Sequence, residues 1–128
     1  MNPDDVKYHK EHTWVKVDGN KGTIGITDYA QDALGDIVYV DLPEVGSSAD
    51  ADREVSEIES TKATSSVISP VSGKVVKVNE ELSESPEVIN EDPYGKGWVA
   101  VIELDNPSEV DDLMDASDYE KYIEEESK

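Results

Sequence analysis

One lysine is set apart from the others by its neighbours. Lys62 lies in the stretch EIESTKATSSV, residues 57–67, among small and hydroxylic side chains and between two apolar runs. It is found there in a chain with 31 acidic side chains and only 11 lysines and arginines. This setting makes its amine a candidate for presentation to another protein.

Other arrangements of side chains that could do chemistry are scarce. His9 and His12 precede a strand and have no third nitrogen or sulfur ligand, so we interpret them as solvated or locally bonded. Gly19, Gly22 and Gly25 favour a hairpin over a phosphate loop, because no GK[ST] follows and no helix opens there. The chain has no Gly-x-Ser-x-Gly elbow and no cysteine. We therefore expect no active site built from its own side chains, and any sulfur chemistry must come from a cofactor.

The charge balance is strongly acidic, with a formal net charge of −20 at pH 7. Such a surface repels phosphate backbones and anionic lipids, so neither nucleic acid nor a membrane is an expected partner. The acids are spread through segments with strand and helix periodicity, which argues against disorder. At molar salt the Debye length falls to about 3 Å, which would screen this self-repulsion. The composition therefore predicts a halophilic source.

The length and the first residues predict a single, non-exported domain. A chain of 128 residues can bury a modest core, here built from Val, Ile, Leu, Ala and a few Tyr and Trp, since Phe is absent. The opening MNPDDVKYHK has no apolar segment, and nowhere do eighteen apolar residues run together. We expect one domain over 1–128, with core strands at about 13–104 and a C-terminal helical segment at about 107–126, in the cytoplasm.

Strand patterns separated by tight turns cover most of the chain. The predicted strands are Trp14–Val17, Thr23–Ile26, Ile37–Val40, Val55–Ile58, Val67–Ile68, Val75–Val78 and Trp98–Ile102. Residues 18–22 form a glycine-rich hairpin connection, residues 47–52 form a loop and residues 70–73 form a turn. Thr27 is placed to cap a short helix at Asp28–Leu34, which Gly35 ends.

The C-terminal region carries two helix-start patterns. Asn106 precedes Pro107, and Glu109 follows three positions after the cap, which predicts a helix there. Ser117 with Glu120 repeats the capping pattern. A narrow apolar stripe is expected to face the body of the protein, and it consists of Tyr119, Tyr122 and Ile123.

A faint internal repeat suggests how the strands are arranged. Gly35–Val40 parallels Gly73–Val78, and each copy is followed by a polar loop and a second strand, at Val55–Ile58 and Val99–Ile102. Two strand–loop–strand units indicate a sandwich of two small sheets related by a pseudo-two-fold axis. Lys62 then falls at the tip of the hairpin that joins the halves, where a side chain can be presented without disturbing the core.

Four stretches of the sequence resemble one protein family. Residues 59–63, ESTKA, followed by 69–73, SPVSG, closely resemble the lipoyl-lysine region of the H proteins of the glycine cleavage system. Residues 25–36, GITDYAQDALGD, resemble the central signature of that family. Residues 90–98, NEDPYGKGW, resemble its late turn, and residues 8–15 its entry strand. Together the stretches span nearly the whole chain in the family's order.

The resemblance implies a carrier rather than an enzyme. Its fold would be all-β, a barrel-sandwich hybrid of the lipoyl/biotinyl type with two small antiparallel sheets, a short inserted helix and C-terminal helices. Lipoic acid would be joined to the lysine as an amide. The implied partners are a pyridoxal-phosphate glycine decarboxylase, a tetrahydrofolate-dependent aminomethyltransferase, dihydrolipoamide dehydrogenase and a lipoate-attaching enzyme. The aminomethyl group of glycine would pass between the first two and electrons to the third, and the carrier would be a monomer.

The resemblance also assigns roles to individual residues. Lys62 would carry the lipoyl group, and Thr61 and Ala63 are small enough to leave its amine accessible. Glu59 lies three residues before the lysine and Gly73 eleven after, at positions by which lipoate-attaching enzymes recognise lipoyl-type domains. Ordinary explanations also exist, since the surface is acidic throughout and a turn glycine needs no partner.

Three positions depart from the pattern of the family. Many members have a glutamate where Thr13 stands, an acid where Ser66 stands and a histidine where Ala33 stands. In the family such positions lie around the cleft that shelters the loaded arm. The residues that hold a loaded arm in this chain therefore do not follow from the resemblance.

Competing interpretations remain open from the sequence. A biotinyl domain has a similar hairpin lysine, but methionines usually flank it, and the methionines here are Met1 and Met114. A lipoyl domain of a 2-oxo acid dehydrogenase is usually tethered to a larger chain by flexible linkers, which this sequence lacks. A relay of octanoyl or lipoyl groups between carriers would use the same residues. An interaction module with an unmodified Lys62 is the remaining alternative.

Overall fold

The computed structural model describes residues 5–126 and contains two antiparallel sheets. The strands are β1 Lys7–Tyr8, β2 Thr13–Asp18, β3 Lys21–Ile26, β4 Ile37–Asp41, β5 Ser48–Ala49, β6 Glu54–Ser60, β7 Thr64–Ile68, β8 Gly73–Val78 and β9 Ala100–Leu104. The six-stranded sheet has the order β1-β2-β3-β9-β8-β5, and the three-stranded sheet has the order β4-β6-β7. The helices are α1 Asp28–Leu34, α2 Glu81–Glu84, α3 Val88–Glu91 and α4 Ala116–Glu126, with a 3₁₀ helix at Pro107–Asp112.

The first hairpin forms where its glycines predict it. Asp18 pairs with Lys21, so the turn contains two residues, and Gly19 there has φ +66°. A Cβ on Gly22 would lie 2.8 Å from Val15 Cγ2, and one on Gly25 would lie 2.8 Å from the Trp14 ring. The three glycines therefore serve the hairpin and the packing against it, as predicted.

Helix α1 begins and ends at the predicted residues. The Thr27 hydroxyl accepts a hydrogen bond from the Ala30 N–H at 3.2 Å, which satisfies one of the free amides at the helix start. Gly35 ends the helix with φ +82°, and its N–H donates to the Gln31 carbonyl at 3.0 Å. This short helix leads directly into β4.

The core lies between the sheets and consists of small and branched aliphatic side chains. Val15, Ile24 and Val75 from the larger sheet are fully buried, as are Ile58 and Val67 (1% exposed) from the smaller one. A second cluster of Trp14, Tyr8 and Tyr119 packs outside it. The predicted dominance of aliphatic residues with a few Tyr and Trp is confirmed.

The two copies of the internal repeat enter different sheets. Strands β4 and β6 pair antiparallel in the three-stranded sheet, and β8 and β9 pair antiparallel in the six-stranded one. Both pairs contain a register shift, between Ile37 and Tyr39 in the first and between Val75 and Lys77 in the second. The repeat thus corresponds to two similar strand pairs, one on each side of the core.

Several predicted bounds were wrong, and β3 and β7 begin earlier than expected, at Lys21 and Thr64. The last strand is Ala100–Leu104 rather than Trp98–Ile102, because the Trp98 carbonyl instead accepts a hydrogen bond from the Asn79 side chain at 2.8 Å. The loop at 47–52 contains strand β5, which pairs with β8. Helix α4 is capped by Asp115 rather than Ser117, since the Asp115 carboxylate accepts from the Asp118 N–H at 2.8 Å. The short helices α2 and α3 had no sequence prediction.

The C-terminal helix packs its apolar stripe on the body, as predicted. Tyr119 is fully buried and stacks on Tyr8 with ring centroids 4.6 Å apart, while Tyr122 and Ile123 pack around it. The Tyr119 hydroxyl bonds to Thr27 Oγ1 and to His12 Nδ1, each at 2.8 Å. Burial raises the pKa of Tyr119 above its usual range, so the phenol keeps its proton for these bonds.

Candidate functional site

Lys62 lies in the turn between β6 and β7, at the tip of the hairpin that the sequence predicted. The Ser60 N–H donates to the Ala63 carbonyl at 2.8 Å and closes the turn. The Ser60 hydroxyl oxygen accepts from the Lys62 and Ala63 N–H groups, at 3.2 and 3.1 Å. These bonds hold the backbone of the turn from inside, so the side chain of Lys62 is left exposed.

The turn is also bonded to the corner between α1 and β4. The Thr61 N–H donates to the Asp36 carbonyl at 3.0 Å, and Ser60 lies opposite Ile37 in the β4–β6 register. Gly35 precedes this corner, and a Cβ there would lie 2.9 Å from Lys62 Cε and 3.7 Å from Nζ. The aliphatic part of the Lys62 side chain therefore occupies space that a side chain at position 35 would need.

Asn90, on the short helix α3, fixes the corner from the other side. Its Oδ1 accepts from the Ile37 N–H at 2.9 Å, and its Nδ2 donates to the Gly35 carbonyl at 2.8 Å and to Gln31 Oε1 at 2.9 Å. Both amide hydrogens and the oxygen are thus used. Sequence reasoning missed this residue, although Asn90 opens the stretch NEDPYGKGW that carries part of the family resemblance.

The two proposed recognition residues lie in different surroundings. Glu59 is exposed on β6, opposite Tyr39 on one side and Thr64 on the other, within the same hairpin as Lys62. Gly73 is buried in the other sheet, where a Cβ would lie only 2.0 Å from the Glu103 carbonyl oxygen. Strand pairing by itself therefore requires glycine at position 73, and the structure does not bring Gly73 onto the lysine hairpin.

The three positions that depart from the family pattern are held by local bonds. The Thr13 hydroxyl donates to the Ile68 carbonyl at 2.8 Å and is buried. The Ser66 hydroxyl donates to the Glu54 carboxylate at 3.2 Å on the outside of the small sheet. Ala33 is exposed on α1, two residues before Gly35. Thr13 is thus bonded to the end of β7, the strand that carries Ser66.

Both histidines are hydrogen-bonded, but the interpretation as solvated or locally bonded was wrong in part, because His9 is buried and most of the bonding partners lie far along the chain. His9 Nδ1 accepts from the Glu11 N–H at 3.0 Å, so Nε2 carries the hydrogen and donates to Asp52. The hydrogen bond from His9 lowers the pKa of Asp52 below its usual value. His12 Nε2 lies 3.1 Å from a Glu126 carboxylate oxygen. Within residues 5–126 no group of three histidine or acidic side chains is arranged to hold a metal ion.

Comparison with known proteins connects this geometry to one family. A family profile described as glycine cleavage H-protein matches residues 6–126 of the chain. The chain belongs to the glycine cleavage H-protein family. The family inferred from the sequence is thereby confirmed.

Two curated relatives illustrate how completely the chain matches the family. The glycine cleavage system H protein of Carboxydothermus hydrogenoformans is 56% identical over 126 residues, which cover 98% of this chain and 97% of that protein. The mitochondrial glycine cleavage system H protein 2 of Arabidopsis thaliana is 56% identical over 122 residues, which cover 95% of this chain and 78% of that protein.

The fold agrees with that of a solved H protein. The crystal structure of a glycine cleavage system H protein from Mycobacterium marinum superposes with a TM-score of 0.87 at 38% sequence identity. The match covers 94% of this chain and 98% of that one. The all-β architecture of two antiparallel sheets with a few helices is thus confirmed for this member of the glycine cleavage H-protein family.

Gly35→Ala tests the backbone requirement at the corner of this H-protein family member. The variant is expected to lose about 1–3 kcal/mol of unfolding free energy, because φ +82° with ψ −152° lies in a region that only glycine adopts readily. Most of the loss should persist in a Lys62→Ala background, since the lysine side chain can turn away from the new Cβ. Urea denaturation of the single and double variants measures both quantities.

Two outcomes would contradict this account of Gly35. An unchanged midpoint for Gly35→Ala would mean that the cap geometry is not required. If the loss of unfolding free energy disappears in the Lys62→Ala background, its cause is the clash with the lysine side chain and not the backbone conformation of residue 35.

Proposed function

We propose that this protein is the lipoylated carrier of a glycine cleavage system. The carrier would pass the aminomethyl group of glycine from a pyridoxal-phosphate glycine decarboxylase to a tetrahydrofolate-dependent aminomethyltransferase. It would then pass electrons to dihydrolipoamide dehydrogenase. Membership of the H-protein family supports this role. The protein would act as a non-catalytic, monomeric, single-domain subunit in the cytoplasm.

The observation that carries the proposal is the exposure of Lys62 at a tip whose backbone is fixed. The tip is exposed throughout, at Thr61, Lys62, Ala63 and Thr64. A long acyl chain on the amine can therefore extend into solvent from its attachment point. The residues present therefore fit a lipoyl group joined to Lys62 Nζ as an amide. When bound, the lipoyl group supplies the disulfide that accepts the aminomethyl group and is afterwards reoxidised.

The chain's own residues position the attachment point and contribute no thiol that could react with the arm. Ser60 and the Asp36 carbonyl hold the turn, while Asn90 holds the corner behind it, so the attachment point is placed by short bonds from three segments. The absence of cysteine from the chain means that no protein thiol competes for a dithiol on the arm. Glu59 and Gly73 are proposed to contribute to recognition by the lipoate-attaching enzyme. Glu59 would contribute through its side chain, and Gly73 indirectly, because glycine there allows the close strand pairing.

No helix within residues 5–126 combines the length and the apolar character needed to cross a bilayer. The net charge of −20 also disfavours contact with anionic lipids or nucleic acid. The proposed partners are accordingly the enzymes that load, unload, reoxidise and lipoylate the carrier. Electrostatic attraction would favour partners with basic faces.

Coexpression with a lipoate-attaching enzyme tests the proposal. Intact mass spectrometry is expected to show one lipoyl adduct per chain, and peptide mapping should place it on Lys62. The modified protein, mixed with the three partner enzymes, glycine, tetrahydrofolate and NAD⁺, should then support glycine-dependent release of carbon dioxide. The unmodified protein is the control and should support none.

The alternatives give different masses in the same experiment. A biotinyl adduct would indicate a biotin carrier, and an octanoyl adduct that passes to another carrier would indicate a relay role. A protein that stays unmodified, or one that is lipoylated and inactive with all three partners, would contradict the proposed function.

A further inference from the structure

The outer face of the small sheet carries exposed apolar side chains beside the lysine hairpin. Val38 and Tyr39 on β4 are 53% and 51% exposed, among the most exposed large apolar residues of the described chain. Glu57 and Glu59 on β6 are exposed on the same sheet. We call these four residues the β4–β6 face. Adjacent exposed apolar side chains on the edge strand of a sheet are typical of binding surfaces and of surfaces prone to association.

A β-bulge is the reason that two consecutive residues point outward. In a regular strand, side chains alternate between the two faces, but here Ile37 and Val40 are buried while Val38 and Tyr39 between them are exposed. The register with β6 shifts between Ile37 and Tyr39, which accommodates the extra residue. The bulge therefore turns both Val38 and Tyr39 to the solvent.

The β4–β6 face is continuous with the tip that presents Lys62. Tyr39 lies opposite Glu59 in the strand register, and Ile37 lies opposite Ser60, the residue that closes the turn. Thr61 is bonded to the Asp36 carbonyl at the start of β4. A protein that contacts the amine of Lys62 is thus also close to Tyr39.

We propose that the β4–β6 face is the docking surface for the enzyme that acylates Lys62. The partner would offer an apolar recess for Tyr39 and Val38 and basic side chains opposite Glu57 and Glu59. This inference rests on the proposed carrier function and adds Tyr39 and Val38 to its recognition residues. The acids supply charge complementarity and would attract a basic partner over a distance.

The attaching enzyme is the occupant because it acts before any arm exists. Its activated acyl carbon must reach Lys62 Nζ itself, which extends from the turn by no more than one side chain. Its surface must therefore touch the turn and the strands that flank it. Enzymes that act on the finished arm reach their substrate through the lipoyl chain, so the proposal does not require them to contact the β4–β6 face.

The test uses Tyr39→Thr and Val38→Thr, which place threonine, a residue that favours strands, at each position. Val45→Thr is the matched control, since Val45 is 61% exposed but lies in the loop after β4. A lipoate–protein ligase with lipoate and ATP is the probe, and lipoylation is followed by intact mass. We expect the KM for Tyr39→Thr to rise about tenfold or more, as for a central interface aromatic, with kcat unchanged and the Val45→Thr control equal to wild type.

Reactions of the lipoylated protein distinguish a role of the β4–β6 face in lipoylation from a role in the later steps of glycine cleavage. After prolonged lipoylation to completion, the Tyr39→Thr protein should support glycine-dependent carbon dioxide release as wild type does. Melting curves for every variant verify folding, and Val38→Thr provides a second reading if Tyr39→Thr does not fold.

Several results would overturn the proposal. One is an unchanged KM for lipoylation in both folded β4 variants. Another is an unchanged lipoylation rate with a raised KM for the decarboxylase, which would assign the face to that enzyme. A third is self-association of wild type that either variant abolishes while lipoylation is unaffected. Failure of wild type to be lipoylated would contradict the carrier function itself.

Discussion

Lys62→Arg is expected to fold normally and to support no glycine-dependent release of carbon dioxide. Lys62 is exposed, and the turn is held by backbone bonds from Lys62 to the Ser60 hydroxyl and from Thr61 to the Asp36 carbonyl. These bonds do not involve the side chain of Lys62, so unfolding free energy should change by less than about 0.5 kcal/mol. Arginine keeps the charge, but its guanidinium stays protonated and is a poor acyl acceptor. No lipoyl amide can then form at position 62, and the activity measured with the partner enzymes should fall to background.

Lys74→Arg is the matched control for this loss. Lys74 is also exposed, but it lies on strand β8 in the other sheet, away from the turn that carries Lys62. Its variant should take up one lipoyl group and retain full activity. Circular dichroism, intact mass and glycine decarboxylation together give the result. A Lys62→Arg protein that still acquires one lipoyl group and still turns over would show that another residue is the attachment point.

The melting temperature is expected to rise steeply with salt. The 31 acids outnumber the 11 lysines and arginines so far that most carboxylates have no cation to pair with. The pair between Lys16 and Asp5, at 3.3 Å, is exposed and contributes little. Raising potassium chloride from about 0.1 M to about 2 M shortens the Debye length from ~10 Å to below ~3 Å and removes most of the self-repulsion. A gain of roughly 1 kcal/mol corresponds to an increase of about 4 °C in the melting temperature of a domain of this size.

Sucrose is the control for effects of solute exclusion, which stabilise proteins of any charge. At equal osmolality it should raise the melting temperature by much less than potassium chloride does. A melting temperature that stays flat across the salt range would contradict the proposal that the acidic surface is an adaptation to high salt. A rise matched by sucrose would assign the effect to exclusion of solute rather than to screening.

The parts of the fold that followed from the sequence are those with local causes. Thr27 and Gly35 bound α1 because capping is decided within one turn of the helix. The β2–β3 hairpin follows from alternating apolar residues and a glycine at the turn. The position of Lys62 at a hairpin tip was inferred from the internal repeat and the apolar runs on either side of the lysine, and it is confirmed, although both strands extend closer to the turn than predicted.

The parts that the sequence did not predict depend on partners distant in the chain. Asn90 bonds to Gln31, Gly35 and Ile37, and nothing in the residues around Asn90 specifies those contacts. Strand β5 is two residues long and exists only because β8 pairs with it. The bulge that exposes Val38 and Tyr39 likewise depends on the register with β6. Short periodic patterns carry no information about such pairings.

The position of Asn90 in the chain determines when, during synthesis, the turn that carries Lys62 can reach its final geometry. During synthesis the hairpin with Lys62 leaves the ribosome before Asn90 does, since the chain is made from its N-terminus. Until Asn90 arrives, the corner that supports Thr61 lacks three of its hydrogen bonds. The attachment point therefore takes its final geometry only after residue 90 has been made and has folded onto the corner.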